Sequence, residues 1–229
     1  MPLGQSLLPH LTPGFGCNRE AGNSGDRFCE GCVAGARHAM TIGLVSDTHG
    51  YFDPKLRGIL AGVELILHPG DVGGDAVLHE LRTIAPVHAV RGNVDSADSN
   101  LPLSLQLTVG RAAIHVVHIL PASQSHVEGW AKCERESQPV PRAAQRLLHT
   151  FEPGTEVVLF GHSHRPCLAS WGGMLWINPG SAGRKRFSLP RTCGVLDISN
   201  ERFHARIVPI DDYAVQLPAP ASIPRKPRG

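Results

Sequence analysis

Apolar and polar positions change period along this chain, and the changes mark out its elements. Thr41-Ile42-Gly43-Leu44-Val45-Ser46 is the first convincing strand, with Ile42–Val45 short and apolar enough to be buried. Pro54–Ala61 suits a short helix, with Asp53 as N-cap and Pro54 at the first helical position. Val63–Leu67 reads as a strand closing on Pro69-Gly70. Asp75–Ala85 brings Ala76, Val77, Leu81 and Ile84 onto roughly one face, the mark of a helix. Val87–Val90 is a strand that stops before Gly92. This strand–helix–strand–helix–strand order predicts parallel pairing with right-handed crossovers, an α/β fold.

The second half has a different rhythm. Leu103–Val109 and Ala112–Val117 flank Gly110-Arg111 and predict a β-hairpin. Residues 121–141 are polar and irregular, and read as a loop; Arg142–Phe151 reads as a helix. Glu156–Phe160, Cys167–Trp171, Met174–Ile177, Thr192–Asp197 and Phe203–Pro209 read as strands, with a turn at Gly172-Gly173 between two of them. Residues 214–229 hold four prolines and end in Arg-Lys-Pro-Arg-Gly, which predicts a disordered basic tail.

The first 39 residues sustain neither period. They contain seven Gly and three Pro, no Ile, and Val33 as the lone Val, so a disordered extension is expected there. The natural start is expected at Met40, directly before the first strand. Cys29-Glu30-Gly31-Cys32 has zinc-knuckle spacing, with Cys17 and His38 as further candidate ligands. One C-x-x-C without a second is a weak signal, and the site is not expected. That leaves one domain over residues 40–213.

Composition narrows the classes. Twenty-two Lys and Arg against 20 Asp and Glu give a net charge of +2, too balanced to point to nucleic acid or an anionic membrane. Three Trp, two Tyr and seven Phe offer little stacking surface for bases. No apolar run approaches the ~18 residues of a membrane span. The six cysteines are scattered rather than framed for disulfides, and Leu3–Leu11 is too interrupted for a signal peptide, so a reducing cytoplasm is expected.

Five short motifs stand where strands end: Asp47-Thr48-His49, Gly70-Asp71, Gly92-Asn93-Val94-Asp95, His118, and Gly161-His162-Ser163-His164. Loops beyond the carboxyl ends of parallel strands are where sites assemble. Any one motif alone is as well explained by a turn or an exposed histidine. Together they supply two Asp, one Asn and four His, a nitrogen and oxygen set without sulfur that suits Mn²⁺, Fe or Zn²⁺. Seven side chains exceed one tetrahedral site and suffice for two metals if one carboxylate is shared.

In this order the motifs resemble those of the calcineurin-like metallophosphoesterases, D-x-H, G-D, G-N-x-D, a strand-end His and G-H-x-H, over roughly residues 40–210. Ile177-Asn178-Pro179-Gly180-Ser181 and the later Pro190-Arg191 are similar to the small single-domain bacterial and archaeal phosphodiesterases. The resemblance implies a four-layer sandwich of two mixed β-sheets flanked by helices. It implies one metal on Asp47, His49, Asp71 and His164, and a second on Asp71, Asn93, His118 and His162, with Asp71 bridging. Mn²⁺ is the expected ion, with Zn²⁺, Fe, Ni²⁺ and Mg²⁺ open to the same donors. The implied activity is hydrolysis of a small phosphate ester, a phosphodiester before a monoester, by in-line attack of a metal-bridging hydroxide. His49, Asp71 and Asn93 are the residues expected to carry catalysis, His49 doing more than ligate.

Three positions depart from or qualify the pattern. Ile119 follows His118 where glycine is usual, and His115 lies nearby in the strand as a rival ligand. Val94 stands where some relatives carry a His that protonates the leaving group. Asp95 is expected behind the ligands, steadying Asn93 or a metal-bound His. Ser163 and Ser181 read as turn formers, and Arg184-Lys185-Arg186 as a solvated basic loop rather than a phosphate contact. Two other classes compete. A scaffold on the same fold, as in the retromer subunit, would have a degraded metal site, whereas all seven donors are present here. A nuclease would need a basic, aromatic surface that the composition does not offer. No membrane or nucleic-acid partner is expected, and self-association is left open.

Overall fold

A computed structural model of the chain describes residues 40–110, 112–186, 188–200, 202–211 and 218–225. The expected extension over residues 1–39, with its C-x-x-C pair, lies outside the described residues.

The first sheet is built from β1 (Met40–Leu44), β2 (Leu65–His68), β3 (Val87–Ala89), β9 (Thr192–Ile198), β10 (Arg202–Pro209) and β11 (Ala221–Pro224), in the order β11-β10-β9-β1-β2-β3. The strands β1, β2 and β3 are parallel, as their crossovers through α1 (Lys55–Ile59) and α2 (Asp75–Arg82) require. The other three pair antiparallel. The second sheet contains β4 (Ser104–Val109), β5 (Ala112–Val117), β6 (Val157–Leu159), β7 (Cys167–Trp171) and β8 (Met174–Asn178), in the order β4-β5-β6-β8-β7. Here β5, β6 and β8 are parallel, with antiparallel strands at both edges.

Alternation along the strands sorts side chains into layers. Ile42 and Leu44 on β1 join Leu67, Ile114, Val116, Val157, Leu159 and Ile177 in the core between the sheets. Residues of opposite parity, such as Val45 and Ile66, pack with Leu56, Leu60, Val77, Leu78 and Leu81 of α1 and α2. On the far side, α3 (Gln124–Arg135) and α4 (Arg142–Leu148) lay Val127, Trp130 and Leu147 over Val158, Trp171 and Trp176. The Trp171 and Trp176 rings stack at 4.9 Å. The result is helix, sheet, sheet, helix. No helix among the described residues is long and apolar enough to cross a membrane.

Two expectations are corrected. The stretch 121–141, read as a loop, contains the twelve-residue helix α3. Its apolar positions Val127, Trp130 and Ala131 keep helical spacing, and Ser123 caps it by accepting from His126 N–H. The stretch 214–229, read as disordered, contributes β11 over Ala221–Pro224. Main-chain pairing with β10 and a two-pronged contact from Arg225 to the Glu156 carboxylate fasten it.

Candidate metal centre

Five loops leave the carboxyl ends of parallel strands and converge. Asp47 and His49 follow β1, Asp71 follows β2, Asn93 follows β3, His118 follows β5, and His162 and His164 follow β6. Asp47, His49, Asp71, His162 and His164 all have positive φ, between 48° and 72°. Among the described residues only one other non-glycine, Ser137, does so. Each such backbone costs of order 1 kcal/mol, and its recurrence at these positions means the fold over-determines their aim.

The side chains form two adjoining donor groups. In the first, one ligand atom from each of Asp47, His49, Asp71 and His164 lies within 4.8 Å of every other. His49 Nε2 and His164 Nε2 face each other at 3.1 Å, and His164 Nε2 lies 3.2 Å from Asp47 Oδ1. In the second, Asn93 Oδ1 lies 2.9 Å from both His118 Nε2 and His162 Nδ1. Asp71 stands between them. Its Oδ2 is 3.8 Å from His49 Nε2, and its Oδ1 is 3.3 Å from His118 Nε2. All seven predicted residues are therefore brought together. His115 is not among them: it lies within β5 and bonds to Gln106 Oε1 across the hairpin.

The protonation pattern fits a cation. His118 Nδ1 lies 2.8 Å from the Pro69 carbonyl, so this nitrogen carries the hydrogen and Nε2 turns a lone pair toward Asp71 and Asn93. Burial would lower the His118 pKa, but the Asp71 carboxylate and the nearby Asp47 charge outweigh it and raise it. Burial would likewise raise Asp71, yet the His118 side chain and the Val94 N–H, bonded to its carboxylate, hold it at about 2. It is ionised at any ordinary pH. Burial and the Arg186 charge lower the His49 pKa, which keeps its imidazole neutral and able to ligate. Two carboxylates, an amide oxygen and four imidazoles aimed at one another form a set that divalent cations complete.

Outer contacts fix these loops. Asp95 accepts from Val72, Gly73 and Gly92 N–H, pinning the β2 and β3 loops together. Gly92 is required by close approach: a Cβ there would stand 2.1 Å from Asp71 Oδ1. Ser181 Oγ donates to the Asp47 carbonyl, and Ser163 Oγ donates to Gln124 Oε1, so both serines hold turns. Asn178 Nδ2 donates to the Gly161 carbonyl and reaches Gln124 Oε1. Gln124 carries no signal of this role in the sequence, because its helix looks polar and irregular there. His68 and Thr48 likewise carry no such signal. The Thr48 hydroxyl donates to the Val72 carbonyl and lies 3.0 Å from His68 Nε2, which ties the first two ligand loops together. Arg184, Lys185 and Arg186 are exposed, with Arg184 over the Tyr51 ring.

Residues 40–201 match the family profile described as the calcineurin-like phosphoesterase superfamily domain. The chain belongs to that superfamily. This phosphoesterase domain is 32% identical, over 76% of this chain and 83% of the relative, to a probable metallophosphoesterase of Methanocaldococcus jannaschii. A probable metallophosphoesterase of Methanothermobacter thermautotrophicus is 29% identical, over 74% of this chain and 92% of the relative. In fold it is similar to vacuolar protein sorting 29 of Cryptosporidium parvum, with a TM-score of 0.60 at 18% identity, covering 82% of this chain and 99% of that one. Family and donor cluster together support a divalent-metal site in a phosphoesterase.

Proposed function

We propose that the chain is a dinuclear-metal phosphodiesterase acting on a small phosphate ester. The observation that carries this reading is Asp71, whose two oxygens turn to separate donor groups. His49, His164 and Asp47 would hold one ion with it, and Asn93, His118 and His162 the other, with Mn²⁺ the expected occupant. When bound, such ions neutralise the anionic ester and acidify water for attack on phosphorus. The protein's part is to place charge and exclude alternatives. Asp71 stays ionised because His118 and the Val94 N–H stabilise its charge. Exposed Val94 leaves no proton donor beside Asn93 for the leaving oxygen, which suits esters with readily expelled alcohols. His49, its pKa lowered by burial and by the Arg186 charge, offers a neutral ring to the first donor group.

The fold shared with vacuolar protein sorting 29 favours a second reading, a protein-interaction scaffold. The complete donor set speaks against it. Hydrolysis of p-nitrophenyl phosphate and bis(p-nitrophenyl) phosphate, with Mn²⁺, Zn²⁺ or Mg²⁺ added, separates the readings. The diester should turn over faster. Preference for the monoester would make the protein a phosphomonoesterase, and inactivity on both despite bound metal would favour the scaffold.

A further inference from the structure

A cleft of about 470 Å³ opens directly beside the second donor group, sharing Asn93 and His118 with it. Its size is that of a small-molecule site. Its remaining wall is largely apolar: Ala97, Leu103, Val117 and Ile119 line it. Leu103 is 65% exposed and Ile119 48%, and with Val94 they are the large hydrophobic side chains left in solvent among the described residues. Two of these three thus border one cleft next to the metal centre, a concentration that scattered surface apolar residues do not produce. Ile119 takes the place where glycine is usual, so the side chain that builds this wall is a departure of this chain from the motif.

The cleft also contains one cation. The guanidinium of Arg91 lines it and is oriented by a 3.1 Å bond from Nη1 to the Ala97 carbonyl. A planar guanidinium among aliphatic side chains is a good surface for an aromatic ring. The neighbouring Asp95 carboxylate is held in place by three backbone N–H groups.

We infer that this cleft receives an aromatic, apolar arm of the phosphate ester, held between Arg91, Leu103 and Ile119 while the phosphoryl group sits at the metal centre. The inference rests on the metal-centre reading and adds the substrate class to it: esters of aromatic or similarly flat apolar alcohols. Placing a phenyl group in such a cleft should tighten binding on the order of tenfold relative to a methyl group.

Calorimetric titration of the Mn²⁺-loaded protein with phenylphosphonate and methylphosphonate tests it without turnover. The phenyl compound should bind about tenfold more tightly. Leu103→Ser and Ile119→Gly should each shrink that ratio toward one while leaving methylphosphonate affinity as it was. Both side chains are exposed enough that the fold should survive, and circular dichroism would check it. Equal affinities in the wild type, or an unchanged ratio in both variants, would overturn the cleft assignment alone. Failure of both phosphonates to bind protein that holds its metal would overturn the phosphoesterase reading and the cleft assignment with it.

Discussion

His68 closes β2 wholly buried, and burial lowers its pKa from the usual 6.5 to about 4. Its Nε2 meets Thr48 Oγ1, whereas Nδ1 has no hydrogen-bond partner among the described residues. A histidine kept neutral in the fold but free to protonate when unfolded makes stability depend on pH. The unfolded chain takes up the proton first, so the contribution is complete above about pH 6.5 and is lost as pH falls toward 4, about 3 kcal/mol at most. Urea titrations of metal-free protein should show this slope, and His68→Asn should flatten it; an unchanged slope would contradict the assignment. Nearby, His115 and His118 stand three positions apart along the same strand direction, so they point to opposite faces. Only His118 faces Asp71 and Asn93. His118→Ala should weaken metal binding by about tenfold or more, while His115→Ala leaves it within about twofold, as metal titration would read.

The loops were legible because their chemistry is dense and local: Asp-x-His, Gly-Asp, Gly-Asn and Gly-His-x-His each occupy four residues or fewer. Their glycines report backbone contact. A Cβ on Gly161 would lie 2.5 Å from Ser46 Oγ and 2.8 Å from Asp47 Oδ2. Gly161→Ala should therefore displace Asp47 and reduce metal affinity by about tenfold with the fold retained. Metal titration beside circular dichroism would check both. Elements whose residues look polar were harder to read. In α3 the buried Gln124 occupies a core-facing position, where it bonds the Ser163 and Asn178 side chains. That role depends on residues 39 and 54 positions away and leaves no local pattern. The strand β11 was hidden by its prolines, since Pro218, Pro220 and Pro224 read as tail composition. Pro224 is tolerated as the last residue of an edge strand, where a missing N–H costs little.

At the scale of the molecule, two sheets of mixed direction meet face to face and present the ends of parallel strands from both at one centre. The first sheet supplies Asp47, His49, Asp71 and Asn93; the second supplies His118, His162 and His164. Neither sheet alone completes a donor group, so the apolar layer between them sets the spacing of the site. Asp71 stands between both groups. Elemental analysis of Mn²⁺-saturated wild type and Asp71→Asn protein is the most direct measurement. Wild type should hold about two ions per chain, as a shared carboxylate permits. Asp71→Asn should lose both together. A wild type without metal, or a variant that loses one ion and keeps the other, would contradict the bridging role from which the rest of the account is built.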